Sequence, residues 1–193
     1  RNFLFNTIGG ISIMSELRTN RIVPRDGLPS GSSGGIIQVK QTVKTDTFSK
    51  NTSSWADITG MSVSIAPTRA DSKIFVMVDI KIGTDHGDSD FHIKLVRGST
   101  DVYVGDTEGS RTSSSMGGPS YSMPSNTSDG QYYLKQVSLN YLDSPSTTSS
   151  TTYKLQIRNY GGRTNFVNRT GNDTNSQVYP RTASSITVME VSG

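Results

Sequence analysis

A chain of 193 residues with 32% apolar and 18% charged side chains and a net charge of +3 has room for one ordinary domain and a short appendage. It contains no cysteine, which excludes disulfide frameworks, cysteine-ligated zinc fingers and thiol catalysis together. No Lys/Arg run of five occurs and no apolar run approaches transmembrane length, so neither nucleic-acid binding nor membrane insertion is predicted.

Residues 1–13, RNFLFNTIGGISI, are apolar but broken by Asn2, Asn6 and a Gly pair, unlike the continuous core of a signal peptide. Met14 stands where an initiator could, so residues 1–13 are either native or an upstream extension. From Ser15 the pattern is an extended arm. It has turn signals at Asp26-Gly27 and Pro29-Ser30-Gly31 and no helical period. Arg18, Arg21 and Arg25 flank Ile22, Val23 and Pro24, which sets charge around a small apolar plug. Such a plug suits docking into a groove on a larger assembly, and a plain linker is the alternative. Residues 1–35 are therefore expected to form an anchoring arm with a Gly/Ser hinge, and 36–193 a β-sandwich body.

Within the body the period becomes two. Ile37, Val39, Gln41 and Val43 mark one strand face. Residues 55–58 and 61–65 predict two short strands, and 66–71 a turn. Residues 73–82, KIFVMVDIKI, predict a central strand covered on both faces at its early, continuously apolar end. Residues 91–96 and 101–104 read as a hairpin about 97–100. Residues 106–130 are a long Ser/Gly-rich insert, expected to project from one end of the body. Strands resume at 132–142, 151–158, 164–169 and 186–191. Eight to ten short strands, no convincing helix and no internal repeat predict an all-β antiparallel sandwich, jelly-roll-like. The thin core suggests that subunit contacts add stability, and a homotrimer is expected.

Chemistry-bearing residues are few. His86 and His92 are the only histidines, so no catalytic residue and no cofactor is predicted. Asp85, Asp88 and Asp90 are weak candidates for a cation loop, since alternating acidic residues supply oxygen ligands. A solvated acidic turn is the alternative. The acidic stretch 83–110 and the basic segment after Pro145 are either two solvated faces or partners across strands or subunits. Glutamate is limited to Glu16, Glu108 and Glu190, which weighs against paired-carboxylate glycoside hydrolysis. Trp55 is expected in packing, with sugar stacking as the alternative. Tyr121, Tyr132 and Tyr133 suit surface recognition. In the long insert, Arg111, Met116, Tyr121 and Met123 are the large side chains among Ser and Gly. They are candidates for surface recognition or for holding the loop down.

The segments NRIVPRDGLPSGSSGGIIQVKQT, SWADITGMSVSIAPTRADSKIFVMVDIKIG, FHIKLVRGSTDVYVGD, LNYLDSPSTTSSTTYKLQ and RTASSITVMEV carry a family likeness. Together they resemble tail-fibre or minor virion structural proteins of marine cyanobacterial phages, across most of residues 15–191. The resemblance implies localisation to the virion as a short, trimeric fibre or spike. Its arm would bind other phage virion proteins, and its distal sandwich would touch a host-surface glycan. A head fibre or capsid decoration protein is the alternative, and an envelope polysaccharide depolymerase a weaker one.

Overall fold

The computed structural model describes residues 35–87, 89–119, 127–160 and 162–192. Eleven strand segments form in chain order: β1 Ile36–Lys44, β2 Phe48–Lys50, β3 Ala56–Ile65, β4 Lys73–Thr84, β5 Asp90–Arg97, β6 Thr100–Val102, β7 Met116–Pro119, β8 Leu134–Asp143, β9 Thr151–Arg158, β10 Asn165–Val167 and β11 Ser184–Val191. The remaining element is a 3-10 turn at Thr127–Tyr132.

Three rows of the sheets are interrupted strands. β10 and β11 both pair one edge of β4, while β8 runs along its other edge. On the far side of that row, β1 pairs β11 and β2 pairs β10. In the second sheet β6 and β7 share one edge of β5, and β9 holds the other edge and bridges to β3. The sandwich therefore has two sheets of four rows each: β1/β2, β10/β11, β4, β8 and β3, β9, β5, β6/β7. Successive rows alternate between the sheets except that β6/β7 follows β5 within the second sheet, and the first and last rows, β1/β2 and β10/β11, lie side by side. This is the strand order of a jelly roll.

Alternation fills the core. Ile74, Val76, Val78, Ile80 and Ile82 of β4 meet Met61, Val63 and Ile65 of β3, and Ile93, Leu95, Leu155 and Ile157 of β5 and β9, in one cluster. The two strands expected at 55–58 and 61–65 are a single strand. Its register shifts between Asp57 and Ser62, where Gly60 takes φ +82°.

β4 also differs from expectation. Its early end is covered on one face only, with Phe75 half-buried and Met77 exposed. The doubly covered end is the late one, Ile82 to Thr84. There the chain returning from β10 crosses so closely that a Cβ on Gly83 would run into the Arg169 carbonyl.

Two buried carboxylates tie the sandwich at the end where Gly35 and Ser192 meet through Ser192 N–H donating to the Gly35 carbonyl, 2.9 Å. Asp143 of β8 accepts two bonds from Arg97 Nη1 of β5, at 2.9 and 2.7 Å, and one from the Tyr153 hydroxyl of β9 at 2.6 Å. Burial and this acceptor push the Tyr153 phenol well above its usual range. Glu190 of β11 accepts from Gln38 Nε2 at 2.6 Å and from the Thr68 amide and hydroxyl at 2.7 Å each.

Burial opposes ionisation of Glu190, but the Gln38 and Thr68 donors outweigh it and hold the carboxyl below its usual 4.5. A carboxylate whose folded pKa is lowered stabilises the protein above its unfolded pKa. That stabilisation disappears as pH falls from 4.5 through the folded value. Glu190→Gln should therefore flatten the acid limb of stability against pH, in denaturant unfolding at neutral and acid pH. An acid limb as steep as that of the wild type would show that Glu190 does not contribute to it.

Candidate functional site

The two ends of the sandwich differ in what they present. At the end of Gly35 and Ser192 lie the connections 66–72, 98–99 and 144–150. The opposite end gathers 51–55, 85–89, 127–133 and 159–164. A further excursion, 168–183, leaves between β10 and β11. Asn168 begins it in a left-handed conformation, φ +64°, which Asn tolerates better than most side chains. The Asn168 amide donates to the Lys44 carbonyl at 2.8 Å and accepts from Ser184 Oγ at 2.5 Å, so the excursion departs and returns at a fixed point.

Backbone donors lock these loops together. Asp85 accepts from the Thr164 amide at 2.8 Å, and Asp90 from the Tyr160 amide at 2.9 and 3.0 Å. The Asn159 amide donates to the Thr52 carbonyl at 2.8 Å, and the Asn172 amide to the Gln131 carbonyl at 2.9 Å. Here carboxylates of the acidic stretch receive backbone N–H groups of the segment after Pro145, while Lys154, Arg169 and Arg181 of that segment pair with Asp57 and Asp173, outside the acidic stretch. Asp85 further accepts from Ser89 Oγ, and Asp90 lies 2.9 Å from His92 Nε2. The oxygens of Asp85 and Asp90 thus brace loops. Among the described residues no group of three His, Cys, Asp or Glu is placed to hold a metal ion.

On this braced frame sit exposed aromatic side chains. Tyr160 is 76% exposed, Tyr133 47% and Tyr132 43%. Tyr132 stacks on Tyr179 with ring centroids 6.1 Å apart, joining the 3-10 turn to the excursion. Beside Tyr179 an open cleft of about 290 Å³ is lined by Asp173, Thr174, Asn175, Ser176 and Arg181. Arg181 reaches Asp173 at 2.5 Å and Arg169 approaches it at 3.5 Å. The Arg181 hydrogen bond, with both guanidinium charges, holds the Asp173 carboxyl below its usual range. Trp55, half-buried, lies under the Lys94 ammonium at 4.7 Å and near Arg158 at 5.8 Å.

The insert expected at 106–130 does not project as one loop from an end. It is divided by β7, which pairs with Asp90–Ile93 of β5 because Ser115 has already joined that edge through its amide to the Ile93 carbonyl, 2.8 Å. Met116 packs against the core, on the structural side of the two roles open to it. Arg111 is exposed on the flanking excursion 103–115 and turns back on the Glu108 carbonyl through its amide at 3.1 Å. Tyr121, Met123 and Asp88 lie outside the described residues, as do the arm residues Arg18, Arg21, Ile22, Val23, Pro24 and Arg25. Tyr160, Tyr179 and the excursion 168–183 were not singled out by the sequence pattern. The signal for Tyr179 was a 16-residue stretch, 168–183, without apolar alternation.

No family model and no curated protein matches the chain. Solved structures of infectious bursal disease virus VP2 do. A mutant VP2 in T=1 particles is 13% identical with a TM-score of 0.40, over 89% of this chain and 44% of that one. The Gx strain structure is 14% identical with a TM-score of 0.37, over 88% and 45%. The VP2 subviral particle is 17% identical with a TM-score of 0.36, over 88% and 46%. The chain spans less than half the length of each, and the fold described above rests on its own strand pairing.

Proposed function

We propose that this chain is a non-enzymatic virion structural protein of a bacteriophage, a homotrimeric tail fibre or spike subunit that attaches the particle to its host. The polarity of the body supports this reading most directly. Residues 1–34 join at Gly35, and the exposed tyrosines stand at the opposite end of the sandwich. A subunit held by its arm would present Tyr132, Tyr133 and Tyr160 outward, on loops fixed by the Asp85 and Asp90 hydrogen bonds. Rigid tyrosines give contact area at low entropic cost, and a polar surface with aromatic faces suits a glycan. Jelly rolls serve in viral capsid and lectin domains, an analogy of fold only. The apolar plug of Ile22, Val23 and Pro24 would seat in another virion protein.

Gold-labelled antibody against the body should decorate the tail or its fibres in electron micrographs of particles. Label on the head would instead support a head fibre or decoration protein. Particles carrying no label would overturn the virion reading. Ile22→Asp with Val23→Asp should leave the protein folded but absent from particles, and normal incorporation would refute the anchor.

A further inference from the structure

The outward faces of the two sheets are unlike. That of the β3–β9–β5 sheet is laced with polar pairs: Asp57 with Lys154 at 2.8 Å, Asp57 with Gln156 at 2.6 Å and Lys94 with Asp101 at 2.8 Å. In the other sheet, strand register sets Val39, Met189, Phe75 and Leu142 side by side across all four rows. Met77 stands one step along β4 and Ile36 begins β1. Val39 is 51% exposed, Leu142 48%, Met77 39% and Ile36 60%. The next outward row is Gln41, Thr187, Met77 and Asn140, with Gln41 bonded to Thr187 at 2.8 Å, so the apolar surface is the first row together with Met77 and Ile36. Contiguous apolar surface of a few hundred Å² marks a contact site.

We infer that copies of this chain meet through this face. The inference rests on the oligomeric reading above and names the surface that would build it. Nine residues of β4 by four rows give a face of roughly 30 by 19 Å. That is on the order of 600 Å² in projection, close to the ~800 Å² of accessible surface each partner brings to a standard interface. Its charges suit a like partner. Asp79 and Lys81 pair with each other at 2.5 Å, and Lys73 turns to Ser144 Oγ at 2.9 Å. A copy of the same face meets no block of like charge there, whereas an acidic or basic partner finds no complement. The apolar row lies toward the Gly35 end. Toward the loop end Ser185, Asp79 and Ser138 replace it in register. Subunits joined this way are held near the arm and leave their loops free.

Light scattering on the full chain should give an oligomer, and Val39→Glu with Leu142→Glu should give a folded monomer by circular dichroism. The chain lacks cysteine, so Met77→Cys provides a single thiol. In the oligomer it should react with a maleimide at least tenfold more slowly than Tyr160→Cys. If the charged variant fails to fold, the labelling decides. A monomeric wild type overturns both the oligomer and the face. A monomer in which Met77→Cys is still protected means that residues 1–34 cover the face, which also overturns it. An oligomer with Met77→Cys freely labelled overturns the face and leaves the oligomer standing.

Discussion

Asp143→Ala should lower the unfolding free energy by about 3–5 kcal/mol, the usual cost of removing one partner from a buried ion pair. The Asp143 side chain is 4% exposed and accepts from both Arg97 and Tyr153. Its removal strands a guanidinium and a phenol at the seam between sheets. Tyr153→Phe deletes one donor and leaves the ion pair, so about 1–2 kcal/mol is expected. Denaturant unfolding of both variants measures the difference. In a domain of this size each kcal/mol moves Tm by roughly 2–4 °C, so the two are separable by melting as well. A loss under about 1 kcal/mol for Asp143→Ala would show that the pair does not hold the seam.

Replacing Tyr133 and Tyr160 together with Ala should reduce adsorption of particles to host cells by roughly a hundredfold, if each anchor contributes about 1–2 kcal/mol. Both side chains are largely outside the core, so the melting midpoint should move little. Arg111→Ala tests the flank of the same body. A tenfold loss there with none at the tyrosines would move recognition to the excursion 103–115. Unchanged adsorption in all three substitutions would remove the described surface from host attachment.

The sandwich was legible in the sequence wherever one face is buried and the other wet. Residues 73–82 and 186–191 alternate because their even positions fill the core. Legibility failed where another element supplied the cover. Consecutive apolar residues at the start of β4 suggested burial on both faces, yet Phe75 and Met77 face outward on the sheet. β7 was hidden because Gly117 and Gly118 carry no side chain to alternate, whereas its row partner β6 was read as the return arm of the hairpin. The excursion 168–183 was missed for a different reason. Its anchor is a single Asn168 whose bonds reach Lys44, 124 residues away, and no local pattern reports such a partner. Of the exposed tyrosines proposed for recognition, Tyr132 and Tyr133 were visible by type. Tyr160 acquires its place only when Asp90 captures its amide.

The adjacency of β1 and β11 has a kinetic consequence. Gln38 and Glu190 bond across 152 residues of chain, and the row they join is interior to its sheet. β4 therefore exposes a bare edge until β11 has been synthesised. Within this sandwich β1 must wait for β11 before its row can form, so closure carries the slow rates of high contact order. During that interval the apolar face and the open β4 edge are both available to neighbouring nascent chains. In the oligomer proposed above, subunits made side by side on one message would meet while still incomplete, so the rate of synthesis should influence how many assemble correctly.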